Sequence, residues 1–251
     1  MIRSGEWFGA QALNSVRHRI ASRSASLVSE PMSWQEVETT IANVALPRGY
    51  RLELLRRHEI PAWAAAVKAW FPKISVGGAS CYLHEEFLQG DVHFAGECDK
   101  DVLVVLIKKG SEPAGLFSCQ RDCDALSLYA RLGVIAPAHR GMRLSRVFPL
   151  LAEAIGRAIG MGMIYGMATL MVPHVQRAFE TLGWQLIGIA PGYDREMIAP
   201  GVVKRVYEAV YAKVLVAAFA PSVIKTRRPG GLRRRTVCCT MTFIVVRHER
   251  S

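Results

Sequence analysis

The sequence has no unbroken apolar span, no paired cysteines and no surplus of acid, and each lack closes off a class of protein. Its longest uncharged stretch, Ala158 to Gln176, is interrupted by Gly160, Gly162, Gly166 and Pro173. It therefore divides into a helix end, a strand and the next helix start rather than one membrane-crossing helix. The apolar run Val214 to Ala220 stops at Pro221 and is too short to span. No signal peptide is evident, and a cytoplasmic protein without a membrane span is expected. The cysteines, Cys81, Cys98, Cys119, Cys123, Cys238 and Cys239, are dispersed. Cys119 and Cys123 lie close together, but no second pair or histidine cluster is near to complete a zinc site, so no metal is expected and reduced thiols are the reading.

What is present is a chain of 251 residues, 51% hydrophobic and 21% charged, sufficient for one good core with tails. The net charge of +11 points to an acidic partner until its location is considered. Between residues 225 and 250, Lys225, Arg227, Arg228, Arg233, Arg234, Arg235, Arg247 and Arg250 stand against Glu249 alone, and between residues 1 and 24, Arg3, Arg17, Arg19 and Arg23 stand against Glu6. The remainder is nearly neutral, so basicity says little about its substrate. Residues 1–33, rich in Ser and Arg, read as a poorly ordered extension, and residues 221–251 as a basic tail. A nucleic-acid role would rest on these ends alone, and nucleic acid is not an expected partner.

The stretch Leu126 to Gly160 organises the rest. Leu126 to Ile135 is apolar and partly β-branched, which predicts a buried strand. After Pro137 the chain turns through Ala138-His139-Arg140-Gly141. Leu144, Val147, Phe148, Leu151, Ile155 and Ile159 then recur at helical spacing. Pro149 is compatible with this helix in its first turn, so the helix either begins near Arg146 or is kinked. Helix starts carry unpartnered N–H groups and the positive end of the helix dipole, so such a joint with glycine and arginine suits a phosphate. An ordinary connection with solvated arginines has the same local pattern, and local physics leaves both open.

At these residues the chain resembles the GNAT superfamily of acyl-CoA-dependent N-acetyltransferases, whose motif runs from an apolar strand through a proline and an Arg-Gly turn into a helix. The resemblance lies in Val134, Pro137, Arg140 and Gly141. Arg143 and Ser145 replace the family's later glycines, so the permissive φ of glycine is lost at Arg143, although its side chain is suited to a phosphate oxygen. A second match lies downstream, where Gly183-Trp184 stands for the family's Gly-Phe, Phe179 for a tyrosine and Val172 for an asparagine. The resemblance implies an α/β fold with a mixed central sheet of about six to seven strands flanked by helices, spanning residues 34–220. It also implies acetyl-CoA as co-substrate. The implied contacts are Val134 and Ile135 on the strand, Arg140, Gly141, Met142, Arg143, Leu144 and Ser145 on the turn, with backbone N–H groups holding the pyrophosphate, and Phe179.

The remaining elements follow in an order that matches the family's. Ser33-x-x-Glu36 has capping-box spacing and predicts a short helix through Ile41. Tyr50 to Arg56 alternates as a strand, and Ile60 to Phe71 is a helix opened by Pro61. Lys73 to Cys98 is irregular and polar. Strands are expected at Asp101 to Lys108, Ala114 to Arg121 and Met163 to Met171, a helix from Pro173 through Leu182 stopped by Gly183, and a strand at Trp184 to Ile189. Tyr193 to Glu196 reads as a loop able to reach an acceptor. Val202 to Leu215 fits strand or helical spacing, and the family topology favours strand.

Chemistry is less legible. The family's tyrosine donates a proton to the leaving thiolate, and Phe179 has no hydroxyl. Many members use a strand glutamate as base, and Ser127, Tyr129 and Arg131 offer none. By analogy the acceptor wall falls near residues 73 to 98, which makes His84, Glu85, Glu86 and His93 the candidates for base. Each also reads as a solvated loop residue. His139 would lie near the phosphates. The expected function is transfer of an acetyl group from acetyl-CoA to an amine by direct attack. The alternative is an inactive acyl-CoA-binding or regulatory module. The acceptor is not specified by the sequence, and a homodimer is one assembly it leaves open.

Overall fold

The computed structural model describes residues 33–171 and 173–216. The N-terminal extension up to residue 32, Val172, and the stretch after Val216, with the basic tail, Cys238 and Cys239, lie outside the described residues.

The elements are α1 (Val37–Ala42), β1 (Tyr50–Leu54), α2 (Ile60–Trp70), α3 (Glu85–Asp91), β2 (Val102–Lys109), β3 (Glu112–Asp122), β4 (Ser127–Ile135), α4 (Val147–Ala158), β5 (Met163–Thr169), α5 (His174–Thr181), β6 (Gln185–Ala199) and β7 (Val202–Val214). They build a 7-stranded sheet in the order β1-β2-β3-β4-β5-β7-β6. Every neighbouring pair is antiparallel except β4 and β5, which run parallel. The crossover from β4 to β5 is α4, as a parallel pair requires.

Local chemistry accounts for the boundaries. Pro61 sits in the first turn of α2, where its missing N–H is harmless. Pro149 is likewise in the first turn of α4, which begins at Val147, so no kink is needed. Gly183, at φ +78°, ends α5. β2 is buried along nearly its whole length and reads as a continuous apolar run, because helices cover both faces at the sheet's centre.

One face carries α2, α3 and the short turns between them. There Ile60, Trp63, Val67, Ile74, Tyr82 and Leu88 pack on Val104, Leu106 and Leu116. The buried Tyr82 hydroxyl donates to Ser118 at 2.6 Å, and Ser118 donates to the Leu103 carbonyl at 2.9 Å. The opposite face carries α4, with Val147, Phe148, Leu151 and Ile155 buried and the Phe148 ring stacked on Phe117. Val202–Val214 is a strand, paired to β6 from Val202 to Ala212 and to β5 from Glu208 to Val214.

Three expectations are corrected. Residues 73 to 98 are not an irregular loop: they hold short 3-10 segments at Pro72–Ser75 and Gly78–Leu83 followed by α3, pieces too short to show a helical period. Tyr193 to Glu196 lie within β6, which runs far past Ile189. α1 starts at Val37 with Glu36 as its N-cap, later than Ser33 as the cap implies.

Candidate functional site

The parallel ladder between β4 and β5 is short. It runs from Ser127 opposite Met163 to Ala130 opposite Gly166 and then stops, although β4 continues to Ile135 and β5 to Thr169. The cause is visible in the other partner of β4. Ser118 lies opposite Leu132 while the next residue, Cys119, lies opposite Ala130, so Arg131 is an extra residue and β4 bulges there. Past the bulge β4 has no β5 partner, and the two strands open at the centre of the sheet.

The chain leaving β4 turns through Pro137–His139 and Leu144–Arg146 before α4. Among the described residues, no backbone or side-chain acceptor takes the N–H groups of Gly141, Met142, Arg143, Leu144 or Ser145. Gly141 has φ +81°, and a Cβ there would meet nothing within 4 Å. Arg143 is left-handed, at φ 60° and ψ 16°, the conformation that suits the glycine it replaces. Of these residues Gly141, Arg143, Leu144 and Ser145 line a groove of about 740 Å³, together with His139, Arg140, Arg146, His174 and Arg177 and no carboxylate. Successive free N–H groups with cationic walls form an anion site.

A smaller cavity of about 540 Å³ between α1, β1 and Phe94 is lined by Glu53, Arg57 and Glu97 among others. Three of its charged residues are paired. Arg57 pairs with Glu97, and hydrogen bonds from Lys108 and then Arg51 hold the Glu53 carboxyl down at about 2.

The sequence-predicted residues fall into different places. Val134 is buried, while Ile135 reaches the groove. Met142 is exposed and Leu144 is buried beneath the turn. Arg140 departs from its expected role. Its N–H is donated to Pro137 O, and its guanidinium bonds the carbonyls of Trp70 at 3.0 Å and Ile135 at 3.4 Å, tying the end of α2 to the end of β4. His139 is buried, with Nδ1 3.0 Å from the Tyr50 hydroxyl and Nε2 3.3 Å from Glu112 at an angle that forms no hydrogen bond. It braces the turn against β1. Phe179 is a core ring, stacked on Trp184 and tilted against Tyr211. A Cβ on Gly166 would lie 3.1 Å from it, so it backs the point where the ladder ends.

The candidate bases are not gathered. His84 is the exposed N-cap of α3, with Glu85 and Glu86 in its first turn. His93 stands beside the start of β2, at the end of the sheet away from the Gly141–Ser145 turn. Burial lowers its pKa, and its Nδ1 is 3.4 Å from Asp99.

The carboxylates nearest the opening were not found from sequence. Glu208 on β7 lies opposite Thr169, the last residue of β5. It is 8% exposed, and burial, then Asp194 and Glu196, push its carboxyl up to about 7. Tyr129 and Tyr165 stack on the same face, and burial pushes both phenols up from their usual range. The available signal was a glutamate at the parity of Val206 and Val210 in an otherwise apolar stretch, a charge at a buried position.

Among the described residues, no helix is long and apolar enough to cross a membrane, and no group of His, Cys, Asp or Glu is placed to hold a metal ion. Cys81, Cys98, Cys119 and Cys123 are free thiols.

No protein-family model and no curated protein matches the sequence. Solved structures match in shape. Mutant forms of the spermidine/spermine N-acetyltransferase SpeG from Vibrio cholerae superpose with TM-score 0.53 at 12% identity, over 67% of this chain and 95% of that one. A dodecameric structure of spermidine N-acetyltransferase from the same organism gives TM-score 0.52 at 12% identity, over 69% and 98%. The fold is the acyl-CoA N-acyltransferase fold of the GNAT superfamily.

Proposed function

We propose that this chain transfers an acyl group, acetyl in the first instance, from acetyl-CoA to an amine. The observation that carries the reading is the run of unpartnered N–H groups from Gly141 to Ser145, set in a carboxylate-free cationic groove beside the opening between β4 and β5. A diphosphate fits such donors, and the open space at Gly141 admits it.

Acetyl-CoA supplies an activated thioester. The chain's own residues do the rest. Backbone N–H groups of the turn, with Arg143, Arg146 and Arg177, hold the phosphates. β4 beyond its bulge offers backbone donors that no β5 residue takes, suited to an oxygen that gains negative charge. Holding donor and amine together supplies the larger share of the rate. Domain limits near residues 34 and 220, and a cytoplasmic setting for the reduced thiols, belong to the same reading. Phe179 favours a second reading, binding without turnover, because its buried ring has no proton to give a thiolate.

The test is calorimetric titration of the full chain with acetyl-CoA and with coenzyme A, followed by thiol release in the presence of amines. Saturable binding is expected, weakened more than tenfold (about 1.4 kcal/mol or more) by Gly141→Asp, which puts a carboxylate and an unfavourable φ among the donors. Tight binding that this substitution leaves unchanged would remove the turn from the site. Binding with no thiol release from any amine would select the second reading.

A further inference from the structure

Glu208 is a buried acid that the acyl-donor half of the site does not use. Register places it opposite Thr169 on one side and Ala190 on the other. Asp194 lies opposite Val206 and Glu196 opposite Lys204, so both project to the same face as Glu208, residues i and i+2 of a strand sharing a face. This is the face of the Tyr129–Tyr165 stack and of α2 and α3, whereas the cationic groove lies with α4 and α5 on the other side. The two sides meet where β4 and β5 part.

Glu208 and Glu196 are 8% and 9% exposed, and among the described residues neither carboxylate makes a hydrogen bond or ion pair. Asp194 accepts from the N–H groups of Gly78 and Arg195, each at 2.8 Å. Two cations face this group: Lys73, which acts on Glu196 from the turn after α2, and the exposed Lys204, opposite Glu196 in the ladder, neither of them ion-paired with it; Tyr129 neighbours Glu208, with Tyr193, Tyr165 and Arg131 around it. Against Lys73 and Lys204 the three carboxylates keep a surplus of one negative charge when all are ionised, and among the described residues no cation is beside Glu208. A buried carboxylate without a partner is costly, and a cationic ligand removes that cost.

We propose that Asp194, Glu196 and Glu208 form the acceptor pocket, that it takes an aliphatic amine bearing more than one positive charge, and that Glu208 receives the proton the ammonium must lose before attack. The proposal rests on the acyl-CoA reading above. The ammonium proton passes to the Glu208 carboxylate. The nitrogen lone pair then forms the C–N bond to the acyl carbon, the C–S bond breaks, and its electrons leave on the thiolate, which takes the remaining surplus proton from nitrogen. Glu208 returns its proton to solvent. A carboxyl poised near neutrality suits that task.

The raised carboxyl also fixes a sign. The folded state holds the Glu208 proton more tightly than the unfolded chain, so its contribution to stability is present at low pH and is lost as pH rises from the ordinary glutamate range through about 7. Glu208→Gln removes that loss and is expected to melt above the wild type at pH 8, which serves as the folding control.

The experiment uses the full chain with 1,4-diaminobutane and butylamine as probes at saturating acetyl-CoA, following thiol release against pH, with acetyl-CoA binding measured separately. Diaminobutane is expected to be used in preference to butylamine, with kcat/KM rising through about pH 7. Glu208→Gln is expected to lower kcat/KM about 100-fold or more and to abolish that rise, with acetyl-CoA affinity kept. Glu196→Gln is expected to raise KM for diaminobutane with less effect on kcat. Retention of rate and pH profile by Glu208→Gln would overturn the proton role. Equal use of butylamine would overturn the charge assignment. Failure of diaminobutane to bind, while acetyl-CoA binds, would overturn the pocket. Glu208-dependent diaminobutane binding without any acetyl-CoA binding would uphold the pocket and defeat the acyl-donor reading instead.

Discussion

Arg143 carries two opposing demands on one residue. Its left-handed backbone, φ 60°, disfavours a side chain by about 1–2 kcal/mol, yet its guanidinium lines the groove. Fold and ligand therefore want different residues. Arg143→Gly is expected to stabilise the folded chain by about 1 kcal/mol, the left-handed relief less the added freedom of the unfolded glycine. It is also expected to weaken acetyl-CoA binding about tenfold through loss of one charge-assisted contact. Urea unfolding and calorimetry would read the two effects. If both moved in the same direction, Arg143 would have only one role. Glu208 shows the same tension, a buried acid whose site is complete only with a cation beside it.

At the scale of elements, the site depends on how closely α4 lies on β4. Gly133 permits that approach, since a Cβ there would sit 2.5 Å from the Phe148 ring, itself stacked on Phe117. Gly133→Ala is expected to cost about 1–3 kcal/mol by overpacking and, because α4 carries the turn on its N-terminus, to weaken acetyl-CoA binding as well. Equilibrium unfolding together with titration would test this, and a loss of stability with no change in affinity would uncouple helix seating from the turn. The strand–turn–helix unit was legible in the sequence because its signals are local: an apolar strand, glycine and arginine at the joint, a helical stripe. β6 was not. Tyr193 to Glu196 read as a loop, but β6 is an edge strand, where the missing N–H of Pro191 is tolerated, and a register shift between Ala190 and Asp194 absorbs the irregularity. Once that loop became strand, Asp194 and Glu196 came onto the face of Glu208. Long-range register, not any motif, assembled the acidic half, so a search of the segment before β2 returned His84, Glu85, Glu86 and His93 instead.

At the scale of the molecule, the sheet divides two kinds of chemistry. The arginines and free N–H groups of the groove lie on the side of α4 and α5, where Glu153 and Glu180 are bonded to Lys213 and Tyr211, the unpartnered carboxylates Glu196 and Glu208 lie on the side of α2 and α3, and the parting of β4 from β5 is the break in the wall between them. The net charge of +11 hides this division, since nearly all of it belongs to the chain's two ends. A ligand that bridges the wall ties α4, β4 and α5 into one unit, and binding to the folded state alone stabilises it by mass action. At acetyl-CoA concentrations near 100 times its Kd the gain is about 2.7 kcal/mol, which for a domain of this size raises Tm by roughly 5–10 °C. Because the arginines that line the groove are exposed, added salt is expected to shrink that shift as the Debye length falls from about 10 Å at 0.1 M to about 3 Å at 1 M. Thermal unfolding of the full chain with and without acetyl-CoA, at both ionic strengths, is the measurement. A shift that salt leaves untouched would mean that the ligand is held by apolar contact away from the turn.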